Sequence, residues 1–393
     1  MRLLVAFAGG TGHFLPLVPL AAAARSAGDR VLATGQAAMM GPVAAAGFTT
    51  VDSGGRTLAD AAVRRPPAPV DRAAEAAVLA NVFARRIARE RATRLIGIGR
   101  TWRPDLILHD EVDAGAAIAA DALGVPRVEV VVLGAGGTTE RDRWAAGVAR
   151  TARELGRPGP PAPPVLMVEP APPGFRNPAD PLPGPVLRTR PAALEQAPGG
   201  AGPPGAVLDW LDRVPDRPVV WFTLGTVFHQ ESGDLFDRVT GGLSRLDASV
   251  VVTVGPGIDP AELGPRPARV RVERHVPQQV LLPRCHLLVC HGGSGSVLGA
   301  LALGVPMLLL PLGADQPATT DRCLALGVAT ALDPVRATRA QMAAAARNLL
   351  AHGRYRAAAA SWRSACAALP TAARTLDRIR STLRTANRHS SSS

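Results

Sequence analysis

The chain has 393 residues, 47% of them apolar, enough to bury the cores of two ordinary domains. It carries 44 basic and 32 acidic residues for a net charge of +12, and every basic residue is arginine. These arginines are scattered singly or in pairs, with one tyrosine in the chain, which argues against a nucleic-acid binder.

Read in order, Leu3–Ala8 is an apolar strand that ends at Gly9-Gly10-Thr11-Gly12. Pro16–Ser26 reads as a helix and Arg30–Thr34 as a second strand, the opening of a parallel α/β sheet. The pattern recurs at Asp105–His109, a helix over Ala114–Leu123, and Arg127–Leu133. Residues 156–205 are crowded with proline and glycine, with one strand island at Val165–Glu169. Strands are then expected at Pro218–Leu224, Ser249–Val254, Arg269–Glu273, Leu287–Cys290 and Met307–Leu310. Helices are expected at Asp234–Arg245, Pro277–Leu282 and Ser294–Leu303. Thr338–Arg384 reads as helical with a break at Pro370.

Two such halves predict paired Rossmann-like domains with a cleft between them, one over 1–200 and one over 206–384, joined by a linker at 186–206. The last helices are expected to pack back on the first domain, and 385–393 to form a disordered tail. No stretch reaches the ~18 apolar residues of a membrane span, and the N-terminal run is too short for a signal peptide. A cytoplasmic protein without stable membrane insertion is expected, compatible with a homodimer. The cysteines at 285, 290, 323 and 366 show no disulfide framework.

His291-Gly292-Gly293-Ser294-Gly295-Ser296 follows a strand and opens a helix. Glycines let backbone approach a phosphate closely, and a helix N-terminus offers N–H groups and partial positive charge. His291 adds a donor that can carry charge. Downstream, an apolar strand ends at Asp315-Gln316, a carboxylate and an amide suited to sugar hydroxyls. Leu224-Gly225-Thr226 and His275-Val276-Pro277-Gln278 stand upstream.

The order LGT, HVPQ, HGGSGS, GVPMLLLPLGADQ resembles the GT-B glycosyltransferases that decorate natural products, of the actinobacterial antibiotic type within the wider UDP-glycosyltransferase superfamily. The resemblance covers nearly the whole chain. It implies a nucleotide-sugar donor and a small-molecule aglycone, with Thr226 and His291 through Ser296 on the diphosphate. By the same resemblance Val276 and Gln278 flank the base, and Asp315 and Gln316 hold the sugar. UDP-sugar users of the family often carry a ribose-binding glutamate eight residues after the histidine; here that residue is Gly299. A dTDP-linked, deoxygenated sugar is therefore expected.

His13, in the first strand-to-helix turn, suits a general base, since an ordinary histidine titrates near ~6.5. Asp110, ending the strand DLILHD, lies on the same edge and resembles the family's His–Asp partner. Glu111 and Asp113 compete with Asp110, and His109 competes less well with His13 because the pleat turns it away. Single displacement with inversion follows. No Asp-x-Asp motif occurs, so no metal and no cofactor beyond the nucleotide sugar are expected. Cys285-His286 and Cys290-His291 lack zinc-site spacing. Gly9–Gly12 lacks the dinucleotide fingerprint, and Thr34-Gly35-Gln36 supplies no acidic partner. The acceptor is expected against residues 50–150, with Phe14, Phe83, Trp102 and Trp144 as aromatic-wall candidates. Alternatives are a UDP-GlcNAc transferase acting on a lipid, which Gly299 disfavours, and a non-catalytic activating partner.

Overall fold

A computed structural model describes residues 1–57, 65–137, 140–195, 205–214, 216–230 and 232–390. The chain divides into two compact units. The first comprises Met1–Leu58, Ala73–Gly199 and Ala368–Ser393, and the second Ala59–Arg72 and Gly200–Ala367. The contiguous first domain expected over 1–200 is thus interrupted. Around Arg65 the chain pairs its backbone with Gln230 and Gly233 of the second unit.

In the first unit β1 (Arg2–Ala6), β2 (Arg30–Gly35), β3 (Thr49–Asp52), β4 (Leu106–Asp110), β5 (Arg127–Val130), β6 (Leu166–Glu169) and β7 (Val186–Arg188) form one sheet. The order is β3-β2-β1-β4-β5-β6-β7, and every pairing is parallel. The second unit repeats the plan with β8 (Val219–Thr223), β9 (Ser249–Thr253), β10 (Val270–Glu273), β11 (Leu287–Cys290), β12 (Met307–Leu309) and β13 (Ala329–Ala331). Its order is β10-β9-β8-β11-β12-β13, again all parallel. The central strands are continuous apolar runs because helices cover both faces. In each sheet the winding reverses between two neighbours, β1 and β4 or β8 and β11. Outside their carboxyl ends a doubly wound sheet opens a crevice for ligands.

The expected Pro16–Ser26 helix is shorter: Thr11–Phe14 makes a separate turn, and Val18–Ser26 follows with Pro19 in its first turn, where a missing N–H costs nothing. Leu79–Ile87 is π-helical, between α-helices Arg72–Val78 and Ala88–Trp102. At the C-terminus only the last helix, Ala372–Ser390, joins the first unit. Its Ala372, Leu376 and Ile379 enter the core with Leu3, Val18 and Leu20, and Arg380 pairs with Asp29. The helices Arg339–Ala351 and Gly353–Ala367 stay with the second, where Met342, Ala346 and Tyr355 are buried. The tail expected to be disordered from 385 is helical to Ser390, and 391–393 lie outside the described residues. Among the described residues, no helix is long and apolar enough to cross a membrane.

Candidate active site

His13 sits in the helical turn immediately after β1, and Asp110 is the last residue of β4, so the two flank the reversal of the first sheet. His13 Nδ1 lies 3.4 Å from Asp110 Oδ2; the aspartate is fully buried and the imidazole 25% exposed. Backbone N–H groups fix the carboxylate, Ala8 donating to Oδ2 and Val112 to Oδ1, each at 2.8 Å. Gly9 makes room for the imidazole: a Cβ there would stand 2.2 Å from His13 Cδ2. Phe83, from the π-helical stretch, stacks on the imidazole at 6.3 Å between ring centres.

The neighbouring acids are committed elsewhere. Glu111 accepts from the N–H groups of Val132 and Leu133, and burial pushes its carboxyl up. Asp113 caps the helix Ala114–Leu123 through the Ala116 N–H at 3.0 Å and grips the Arg91 guanidinium at 2.9 and 3.0 Å. His109 is a core residue. Its Nδ1 is 2.7 Å from the Asp110 carbonyl, and Arg127 donates to its Nε2 at 2.9 Å. A guanidinium only donates, so Nε2 accepts and Nδ1 carries the proton. Burial, helped by Arg127, pushes its pKa down to about 3.

The aromatic wall is mostly corrected. Phe14 is 2% exposed, packed in the core between Phe7 and Phe48. Trp102 lies 5.2 Å from the Arg2 guanidinium, at the amino edge of the sheet, opposite His13. Trp144 is partly buried against the apolar cluster that includes Ala84, Ile118 and Val148. Of the four, Phe83 alone adjoins the base.

In the second unit Gly225-Thr226 leaves β8 and His291 leaves β11, again at the reversal. Cβ atoms at Gly225 and Gly293 would stand 2.7 and 2.6 Å from the His291 ring, and the Phe228 ring is tilted against it at 5.9 Å. Burial pushes the His291 pKa down to about 4, so the ring is neutral near pH 7 before any anion approaches it. Its Nδ1 is buried with no hydrogen-bond partner among the described residues. Gly293 is the N-cap of the helix Ser294–Leu303, with Gly295 and Ser296 in its first turn. Ser294 is drawn away from the diphosphate role, since its hydroxyl donates to Asp315 Oδ2 at 2.6 Å.

Gln316 also departs from its expected sugar-holding place. It is 1% exposed, and its Oε1 accepts from the N–H groups of Leu312 at 2.7 Å and Gly313 at 3.2 Å. That clamp adjoins Ala314, whose left-handed backbone (φ +52°) sets the turn presenting Asp315. Val276 lines a cavity of about 180 Å³ with His275, Pro277, Val280 and Val207. Gln278 turns instead to the helix start, donating to the Gly295 carbonyl at 3.3 Å. A Cβ at residue 299 would fall 1.7 Å from Gln278 Nε2, so the amide occupies the space a side chain there would need. Among the described residues no group of three or more His, Cys, Asp and Glu side chains is placed to hold a metal ion.

Sequence reading missed Arg91, Gln36, Ser53 and Phe228. Arg91 had a signal: an arginine between Ala88 and Ala92, on a helix face otherwise apolar with Leu95. Gln36 carries no such signal: a glutamine just after a strand looks the same whether it ties a turn or faces solvent.

Residues 237–381 match the family described as erythromycin biosynthesis protein CIII-like, C-terminal domain. The chain is 34% identical over 335 residues to an elloramycin glycosyltransferase of Streptomyces olivaceus, covering 80% of this chain and 82% of that one. Its fold is similar to the crystal structure of the glycosyltransferase SnogD from Streptomyces nogalater, with a TM-score of 0.78, 28% identity, and 98% and 99% of the two chains covered. It is also similar to the glycosyltransferase VinC solved in complex with dTDP, with a TM-score of 0.77, 26% identity, and 98% and 100% covered. Relatedness of this extent, on two Rossmann-like units, means that the chain belongs to the actinobacterial natural-product glycosyltransferases of the GT-B fold.

Proposed function

We propose that this glycosyltransferase moves a deoxysugar from a dTDP-linked donor to a hydroxyl of a small apolar natural product, by single displacement with inversion and without a metal ion. The observation that carries this reading is His13 Nδ1 at 3.4 Å from the buried Asp110 carboxylate. With the proton of the neutral ring on the Asp110 side, Nε2 holds the lone pair. It takes the acceptor hydroxyl proton as that oxygen bonds to the anomeric carbon, and Asp110 stabilises the imidazolium formed. The bond from the anomeric carbon to the diphosphate breaks, and its electron pair leaves on the phosphate oxygen. The partial positive charge at the start of the helix Ser294–Leu303 suits that charge.

Support for dTDP is the filled space at Gly299: no carboxylate stands there to accept from ribose hydroxyls, and Gln278 occupies its place. Calorimetry should show tighter binding of TDP than UDP. Product NMR should show inversion at the anomeric carbon, with turnover persisting in EDTA. Tighter UDP binding, a retained configuration or loss of turnover in EDTA would each overturn the corresponding part.

His291 gives a pH-dependent test. Its value near 4 in the ligand-free protein is set by burial, and a diphosphate beside it raises that value. Between about 4 and the bound-state value, binding of TDP then takes up a proton, so affinity increases as pH falls through the bound-state value and levels off below about 4. Calorimetry in buffers of different ionisation enthalpy reads this uptake. His291→Ala should remove the protein's share and leave only the titration of TDP itself. Equal uptake in both proteins would place the diphosphate away from His291.

A further inference from the structure

We propose that Gln36 is a positioning residue for the base, holding the Gly9 turn against which His13 is seated; the inference rests on the His13–Asp110 reading above. Gln36 follows directly on β2, is 3% exposed, and reaches across to the turn after β1. Its Nε2 donates to the Gly9 carbonyl at 2.8 Å and to Thr57 Oγ1 at 2.8 Å, while its Oε1 accepts from the Thr57 N–H at 3.0 Å. Gly9 is the residue whose missing side chain leaves room for the His13 ring. The next residue back, Ala8, donates its N–H to the Asp110 carboxylate. One peptide turn therefore touches both members of the pair, and Gln36 is the side chain that fixes its carbonyl.

The tie continues beneath the pair. Ser53 donates its N–H at 2.8 Å and its hydroxyl at 3.2 Å to the Gly35 carbonyl, next to Gln36. Arg91 donates to Ser53 Oγ at 2.9 Å and holds Asp113, three residues after Asp110. A run of buried hydrogen bonds, joined through the backbone at Gly35–Gln36 and at Asp110–Asp113, thus leads from the His13 side of the site to the Asp110 side. Gln36 is its link to the histidine. Buried networks with every member satisfied fix geometry, and a base displaced by about 1 Å loses on the order of 100-fold in rate.

The test compares Gln36→Leu and Gln36→Glu with the parent protein, using the full chain and a dTDP-sugar with an accepted aglycone. Both variants lose the amide donor to Gly9; Gln36→Glu keeps an acceptor for Thr57. Turnover should fall roughly 10–100-fold in both, with TDP affinity, which belongs to the second unit, within twofold of parent. The acid limb of the pH–rate profile should move to lower pH, because an imidazole farther from the Asp110 carboxylate is protonated less readily. Parent turnover with an unmoved profile in either variant would overturn the proposal. So would recovery by Gln36→Glu alone, since that would make the Thr57 tie the relevant one. If Gln36→Leu fails to fold, Gln36→Glu carries the comparison. His13→Ala is run alongside: if it is active, the base assignment itself is wrong, whereas an inactive His13→Ala beside unaffected Gln36 variants refutes only the positioning role.

Discussion

Replacing His13 with alanine is expected to lower turnover about 1,000-fold or more while TDP affinity stays within twofold. A positioned general base is worth roughly 100–10,000-fold, and no neighbour can take over. His109 is buried, holds its proton on Nδ1 and accepts from Arg127 on Nε2. Glu111 and Asp113 are engaged by backbone N–H groups and by Arg91. Asp110→Asn should be damaging for a different reason. Each carboxylate oxygen accepts a backbone N–H, and Oδ2 also faces His13. An asparagine must turn an NH2 group toward at least one of these donors, which either unseats the loop or reverses the imidazole tautomer. A loss of about 100-fold or more is expected. Single-turnover rates at saturating donor, with TDP calorimetry as the binding control, check both. Parent rates in His13→Ala would remove His13 from the chemistry.

The architecture was legible where physics leaves a periodic trace. Central strands such as β1, β8 and β11 are unbroken apolar runs and were readable from sequence. The strands β3, β7 and β13 were not: they are short, lie at or next to sheet edges, and bury little. The His13, Asp110 and His291 positions were readable because each ends or follows a strand at a glycine turn or a polar break. The side-chain contacts of Ser294 and Gln316 were less so. A hydroxyl or amide beside a site looks the same in sequence whether it faces ligand or folds back on backbone, and Gln316 folds back. Gly299 was read as an absence, yet its space is filled by Gln278 from 21 residues away. Such a contact is set by packing across two elements and leaves no local pattern.

Arg91→Met is expected to destabilise the first unit by about 3–5 kcal/mol, the cost of leaving one charge of a buried pair uncompensated. Arg91 and Asp113 are both fully buried. The arginine stem is closely enclosed: Cβ atoms at Gly55 and Gly115 would stand 2.6 and 2.7 Å from its Cδ and Cβ. Methionine keeps the apolar stem and removes the charge. Asp113→Asn should cost less, because an asparagine oxygen can still cap the helix Ala114–Leu123 and Arg91 retains Ser53 and the Gly54 carbonyl. The double variant Arg91→Met/Asp113→Asn should be more stable than the sum of the two losses, since it leaves no unpaired charge. Urea unfolding followed by a probe in the first unit, with TDP protection reporting on the second, reads these differences. A loss below about 1 kcal/mol in Arg91→Met would mean that Asp113 finds another partner. Asp113 lies in the turn that leads out of Asp110, so destabilisation should reach chemistry before binding. On warming, Arg91→Met should lose turnover at temperatures where its TDP affinity persists, if the proposed division of base and donor site between the two units holds.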